Sequence, residues 1–237
     1  NTDSVLVGMA ALDRTQGMNL AHSRFALGSL VCPLLIAALG FVHWRAPMLG
    51  LAVCGVLLWT SYSVARLPRH VRHAGDKSGE WDFFRSRRFW LLTAVVFFQN
   101  CTEIAVTGWM VTYFKDTGIL SGTAGQLTVT VIWGAMLVGR LTIALALHIR
   151  HSYRALSLMT LGCIAAYLLL LRADNAVTAL VFLFLFGLAI AGVNPTAVAS
   201  AGRSLSSAGV GVMLPTAGIG AILMPYITGL VAAKWGI

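Results

Sequence analysis

The sequence predicts an all-α, multi-spanning membrane protein, and three observations support that fold class. Of its 237 residues, 58% are hydrophobic and only 11% are charged, whereas soluble domains are usually about 25% charged. Seven apolar stretches are long enough, or nearly so, to cross roughly 30 Å of hydrocarbon as helices. Basic residues are concentrated in alternate loops between these stretches, as expected from the positive-inside rule. A soluble core has no room for this apolar surplus, so much of it must face lipid.

Each apolar stretch is predicted to be a transmembrane helix. Segments such as Val177 to Ala191 are continuously apolar and lack the alternation that barrel strands require. Internal small residues and prolines, such as Gly187 and Pro195, favour close helix packing and bends. The predicted spans are 20–42, 47–65, 89–113, 124–147, 155–171, 176–201 and 208–233.

Loop charge gives these spans an orientation. The longest connection, 66–88, holds Arg66, Arg69, Arg72, Lys77, Arg85, Arg87 and Arg88, which predicts that it is cytoplasmic. Arg14, Arg150, Arg154 and Arg203 then fall on the same side, and Arg45, Lys115, Arg172 and Lys234 fall on the other. Eleven loop Lys and Arg residues thus lie on the cytoplasmic side and four on the other. Because this distribution is typical of membrane topology, the net charge of +9 does not predict a nucleic-acid partner.

Nothing in the sequence indicates an enzyme, a metal site or a cofactor. Cys32, Cys54, Cys101 and Cys163 lie in apolar segments at irregular spacing, which favours neither a disulfide framework nor zinc ligation. No nucleophile elbow, zinc-protease motif or Walker loop is present. The chemistry that remains is binding and movement.

The third span carries the most informative polar residues. An ionisable group in hydrocarbon costs about 2.5–3.5 kcal/mol on insertion scales, so Glu103 needs a partner, a cavity or a function. At helical spacing it shares a face with Gln99, Asn100 and Thr107. We expect this face to line a cavity in which the amides bind a substrate and Glu103 binds substrate or carries a proton. The alternative is a structural carboxylate paired with a neighbouring helix.

Other spans add further candidates. His22 lies on one face with Asn19 and Ser23 near the start of the first span, where it is either a proton-coupling residue or an interfacial group. In the fourth span, Gln126 and Trp133 lie at helical spacing on one face that ends at Arg140. In the sixth, Asn194-Pro195-Thr196 interrupts an apolar helix, a place where a backbone carbonyl is freed for substrate or for a neighbour. The competing interpretation for these residues is helix-to-helix packing.

Trp109 and Tyr113 sit one turn apart near the outer end of the third span. Aromatic rings at this depth either stack on a sugar-like solute or anchor the helix at the membrane interface.

Five segments occur in a recognisable order along the chain. They are Asn19 to Gly28 with Pro33; Glu103 with Trp109 and Tyr113; Val138-Gly139-Arg140-Leu141; Gly187 to Thr196; and Gly218 to Pro225 with Gly229. In order, they resemble helix five, helix seven, the Gly-Arg signature between helices eight and nine, helix ten and helix eleven of the major facilitator superfamily. The branch they resemble most is the fucose/glucose-type proton symporters. The signature lacks an Asp between Arg140 and Arg150, and Asn194 stands where the branch often has an apolar residue.

The resemblance implies a major facilitator fold covering helices five to eleven, with other helices of the same transporter outside this chain. On that basis 1–65 ends the N-terminal half, 66–88 is the linker, and 89–237 belongs to the C-terminal half. Gly139 and Arg140 would be the conformational signature. The implied function is secondary transport of a small solute, such as a sugar with proton coupling, across a bacterial inner (plasma) membrane.

A different class is a seven-helix receptor-like or other membrane binding protein without transport activity. Two observations oppose this class. The predicted first span starts on the cytoplasmic side, opposite to receptors. The last span has no mid-helix lysine to form the Schiff base of a retinal protein, since Lys234 lies at its end.

Overall fold

The computed structural model describes residues 14–40, 45–64, 81–120 and 123–235, without the side chains at 33–35, 37–40, 123–124 and 126–127. Within these ranges the chain is helical and contains no strand. A 3₁₀ turn, Asp82–Arg85, precedes the third helix. The helices are α1 (Arg14–Gly40), α2 (Ala46–Val64), α3 (Arg87–Asp116), α4 (Thr123–Leu145), α5 (Ser152–Leu170), α6 (Ala176–Ala191), α7 (Val193–Ser204) and α8 (Ser207–Trp235).

The predicted all-α membrane bundle is confirmed. Each of the seven predicted spans coincides with a helix, the sixth being divided into α6 and α7. In the described part of the chain, six helices are long and apolar enough to cross a membrane, with α6 and α7 counted as one. The helix outside that group is α1, whose first half is rich in polar residues such as Asn19, His22 and Arg24.

The first helix extends beyond the predicted first span. We predicted a span of 20–42, and the chain is already helical at Arg14, the first residue that the structure describes. Arg14 donates a hydrogen bond to the carbonyl of Gly202 at the end of α7, and the Thr15 hydroxyl accepts one from Arg203. These hydrogen bonds join the polar first turn of the described helix to the end of α7.

The predicted interruption of the sixth span is present, but it falls at Gly192 rather than at Asn194. Pro195 then occupies the first turn of α7, where a residue without an N–H is tolerated. For the same reason Pro195 leaves the carbonyl four residues earlier, that of Ala191, without its helical donor. The break therefore creates a free acceptor inside the bundle.

Small residues bring α4 and α6 into close contact. A Cβ added at Gly187 would lie 2.7 Å from Ala135 Cβ and 2.9 Å from the Ile132 carbonyl oxygen. Helix α3 packs against α8 in the same way, since a Cβ at Gly220 would lie 2.7 Å from Cys101 Sγ. Such approaches let the backbones themselves touch, as is common between membrane helices.

Two groups of buried side chains form the core. The larger lies among α1, α3, α4, α5 and α6 and includes Phe114, Met136 and Phe186. The smaller lies among α3, α5, α7 and α8 and includes Phe89 and Met213. Helix α2 contributes little to either, because nearly all of its residues are exposed, as expected for a helix whose neighbour is lipid.

Candidate functional site

The predicted polar face of α3 points into the bundle. Gln99 and Glu103 are buried, with 5% and 8% of their surface exposed, and Asn100 and Thr107 are half-buried. The Gln99 amide donates a hydrogen bond to the Glu103 carboxylate. Thr107 differs from the rest, because its hydroxyl donates to the backbone carbonyl of Glu103 in its own helix, at 2.8 Å.

Asn194, in the first turn of α7, completes a group of side-chain amides. Its Nδ2 donates to Gln99 Oε1 at 2.9 Å and to Asn100 Oδ1 at 3.3 Å. Asn100 Nδ2 donates in turn to the carbonyl of Ala217 in α8, at 3.1 Å. We call Gln99, Asn100 and Asn194 the amide cluster. It joins three helices by polar contacts in the interior of the bundle.

The amide cluster retains unused bonding capacity. A side-chain amide offers two N–H donors and an acceptor oxygen with two lone pairs. Within the described residues the oxygen of Asn194 accepts no hydrogen bond, and Asn100 Nδ2 donates only to Ala217. Gln99 also lines a mainly apolar cavity of about 280 Å³ between α3, α5 and the helix break.

Arg140 is the second centre of the site, and only 2% of it is exposed. Its Nε donates to the freed Ala191 carbonyl at 3.1 Å, and its Nη1 donates to the His22 carbonyl of α1 at 3.0 Å. Gly139 makes this reach possible, because a Cβ there would lie 2.7 Å from Ala191 Cβ. The guanidinium thus ties α4 to the helix break and to α1.

Glu103 and Arg140 are an acidic and a basic group buried in the same interior, and within the described residues no hydrogen bond joins them. Each is held by uncharged partners, the carboxylate by Gln99 and the guanidinium by the two carbonyls. A buried charge without compensation costs several kcal/mol, so these hydrogen bonds offset part of that cost. The site therefore contains side-chain amides, a carboxyl group and a guanidinium within one helical bundle.

Comparison with known proteins identifies the family. The model of the Major Facilitator Superfamily matches residues 3–225, which is most of the chain. The chain belongs to the Major Facilitator Superfamily.

A yeast member of the curated proteins is also similar. Bypass of stop codon protein 6 of Saccharomyces cerevisiae is 21% identical over 281 residues, an alignment that covers all of this chain and 56% of the yeast protein. The chain thus spans little more than half the length of that relative. The superfamily inferred from the motifs is confirmed, and the fucose/glucose-type branch remains a prediction.

The predicted site residues divide into those that the structure places at or beside the amide cluster and those that lie apart from it. The structure brings Gln99, Asn100, Glu103 and Asn194 together, and it places Arg140 at the helix break beside Ala191.

Three candidates lie apart from that group, and one is not described. The ring of Trp133 packs edge-on against Phe25 at 5.5 Å and 74°, in the apolar core. His22 is half-buried and contributes its backbone carbonyl to Arg140. Thr107 bonds to its own helix. The side chain of Gln126 lies outside the described residues.

Trp109 makes a helix-to-helix contact, and its two predicted roles, solute stacking and interfacial anchoring, stay predictions. Its Nε1 donates to the carbonyl of Pro225 at 3.2 Å, and a Cβ at Gly229 would lie 3.1 Å from its ring. The indole therefore joins α3 to α8, with the small residue Gly229 providing the space for it.

Sequence reasoning missed a polar tie between α1, α5 and α7. Arg203 donates to the Thr15 hydroxyl at 3.1 Å and to the Ser152 hydroxyl at 2.5 Å, beside the contact between Arg14 and Gly202. We had assigned Arg14 and Arg203 to topology alone. Basic residues placed on one side of a membrane protein gave no indication of which hydroxyls they would meet, because those hydroxyls come from distant parts of the chain.

Proposed function

We propose that this chain is the solute-binding part of a secondary transporter that moves a small polar solute by alternating access. The observation behind the proposal is the amide cluster, in which Asn194 bonds to both Gln99 and Asn100 beside a helix break. Polar groups inside membrane helices are costly and mark substrate pathways. Broken helices near the midplane are where transporters bind their substrates.

The amide cluster suits a solute with several hydroxyl groups. Amides both donate and accept, as hydroxyls do, so a polyol can replace an amide-to-amide bond without leaving either partner unsatisfied. The unused oxygen of Asn194 is a ready acceptor for a hydroxyl. A sugar is therefore the substrate class we propose, in agreement with the branch that the motifs resemble.

Glu103 is the proposed proton site, or else a direct ligand of the solute. It is a buried carboxylate that accepts a hydrogen bond from Gln99 of the amide cluster. Gain of a proton would remove its negative charge from the interior that also holds Arg140, whose guanidinium bonds to the Ala191 and His22 carbonyls. Because one partner, His22, belongs to α1, a change at Glu103 reaches the packing of α1 on α4.

The proposed division into halves follows the resemblance to the superfamily. Helices α1 and α2 would end the N-terminal half, the region 66–88 would be the linker, and α3 to α8 would belong to the C-terminal half. Of that linker, residues 66–80 lie outside the described residues. Arg140 then bonds across the two halves, which is where a transporter of this kind must change its contacts.

The proposed location is a bacterial inner (plasma) membrane with the linker on the cytoplasmic side. The support for this orientation is the excess of basic residues in alternate loops. Helices outside this chain would complete the transporter.

Replacement of Glu103 by Gln tests the proton role. In vesicles containing the protein from its complete reading frame, we expect E103Q to abolish proton-driven accumulation of the solute and to retain counterflow exchange. Exchange needs binding and alternating access but no net proton movement, so the two activities separate. Asp116→Asn, an exposed carboxylate at the end of the same helix, is the matched control and should change neither.

Three results would count against this function. If solute accumulation by E103Q depends on pH as it does in the unmodified protein, Glu103 does not carry the proton. Equal loss of accumulation and exchange in E103Q, with a lower unfolding temperature, indicates a structural carboxylate. Binding of sugars without uptake in any assay favours the membrane binding protein over the transporter.

A further inference from the structure

A basic cavity of about 490 Å³ lies outside the amide cluster, where α5 begins and α7 ends. Five basic residues line it, together with serine hydroxyls and no carboxylate. The basic residues are Arg88, Arg150, His151, Arg154 and Arg203. They come from three separate parts of the chain, so the fold has gathered four arginine charges that repel one another.

The arginines of this basic cavity have few protein partners. In the described ranges, Arg88, Arg150 and Arg154 form no ion pair, and Arg203 bonds only to the hydroxyls of Thr15 and Ser152. Guanidinium groups present planar pairs of donors that match the oxygens of a phosphate. A cluster of such groups without carboxylates is arranged for an anion.

The first turn of α5 adds to this preference. Residues 151–154 line the basic cavity, and the His151 side chain makes no capping hydrogen bond there. The first N–H groups of a helix have no partner within the helix and carry partial positive charge. They favour an anion at the same point as the arginines.

A second cavity indicates what kind of anion fits. A groove of about 460 Å³ adjoins the basic cavity, since Tyr153 lines both. Its walls are almost wholly apolar and come from α3 and α5, with Leu91 and Leu161 largely exposed on its sides. A basic cavity above an apolar groove on a lipid-facing surface has the shape of a phospholipid, with a charged head and an acyl chain.

We propose that this composite site binds the phosphate of an anionic phospholipid, with the headgroup in the basic cavity and an acyl chain along the groove between α3 and α5. Bound lipid would neutralise the arginines and hold the beginning of α5 against α7. Arg203 would link the lipid to α1 through Thr15. Free phosphate shares the headgroup chemistry but makes no use of the groove.

The test uses the full chain in phosphatidylcholine nanodiscs with or without phosphatidylglycerol. The double variant Arg150→Gln/Arg154→Gln removes two arginines of the basic cavity. Its matched control is Arg85→Gln/Arg87→Gln, which removes two exposed arginines at the same end of the bundle that do not line the cavity. Bound lipid is counted by native mass spectrometry, and stability is followed by the unfolding temperature.

We expect phosphatidylglycerol to bind and to raise the unfolding temperature of the unmodified chain and of the control. The cavity variant should bind it about 100-fold more weakly, at roughly tenfold per charge-assisted contact. Equal binding by cavity variant and control would overturn the proposal, because the effect would then be general surface charge. An equal rise in stability with millimolar inorganic phosphate alone would also overturn it, in favour of a free-anion site.

A variant in the groove provides an independent test. Leu161→Lys places a charge among the acyl contacts and leaves every basic residue of the cavity in place. It should weaken phosphatidylglycerol binding and leave any binding of inorganic phosphate unchanged. If the double arginine variant does not fold in phosphatidylcholine, the comparison of Leu161→Lys with Leu158→Lys decides, because Leu158 is also largely exposed but does not line the groove. Equal lipid binding by these two variants refutes the site.

Discussion

Replacement of Gly139 by Ala tests how the backbone positions the buried arginine. The added Cβ would lie 2.7 Å from Ala191 Cβ and 3.2 Å from the Leu188 carbonyl oxygen. Ordinary contacts begin near 3.4 Å, so α4 and α6 must separate locally by about 0.7 Å. A shift of that size along the Arg140–Ala191 direction would stretch their 3.1 Å hydrogen bond beyond the range of useful bonds.

Two costs and one gain determine the size of the effect. Overpacking costs about 1–3 kcal/mol, and loss of a hydrogen bond to a charged group costs about 1.5–3 kcal/mol. Alanine is the better helix former by about 1 kcal/mol. We therefore expect Gly139→Ala to lower the free energy of unfolding by about 3 kcal/mol.

The same helix contains a matched control. A Cβ at Gly134 would meet only Leu30 Cδ1, at 3.9 Å, which is an ordinary contact. Gly134→Ala should therefore leave stability unchanged or raise it slightly. Unfolding of both variants and the unmodified chain by SDS in mixed micelles, followed by circular dichroism, gives the comparison.

A double-mutant cycle separates overpacking from the loss of the arginine contact. If the contact matters, Gly139→Ala should cost less in an Arg140→Met background, with a coupling of about 0.5–3 kcal/mol. Equal stability of Gly139→Ala and Gly134→Ala would refute the close approach itself. Equal cost of Gly139→Ala in both backgrounds would show that Arg140 does not depend on it.

Two further predictions concern the packing of α3 on α8. Trp109→Phe removes the donor to the Pro225 carbonyl and should lower the free energy of unfolding by about 1 kcal/mol. Solute binding, measured by equilibrium dialysis, should stay unchanged. A loss of solute binding without a loss of stability would instead support the solute-stacking role. Gly220→Ala brings a Cβ to 2.7 Å from Cys101 Sγ, whereas a Cβ at Gly218 meets nothing within 4 Å, so only the first should lower the unfolding temperature. Similar temperatures for both would contradict the contact between these helices.

The sequence was sufficient for the fold class, because apolar length and polar placement follow from the cost of moving each group into hydrocarbon. The same logic correctly predicted which face of α3 turns inward, since Gln99 and Glu103 are buried at the helical spacing of the stripe. Ordered motifs were enough to indicate the superfamily, which the family model then confirmed. The fold class, the buried face of a helix and the order of the motifs all depend on single helices, so the sequence of each helix is enough to predict them.

Tertiary structure decided how those helices meet. Asn194 follows Gln99 by 95 positions, and the bond between them depends on where α6 ends and how α7 packs on α3. A residue at a helix break was predictable from Pro195, but the use of the freed Ala191 carbonyl by Arg140 was not. That contact requires the close approach at Gly139, which no local pattern encodes. The polar candidates were thus evident from the sequence, whereas their partners depended on packing between segments far apart in the chain.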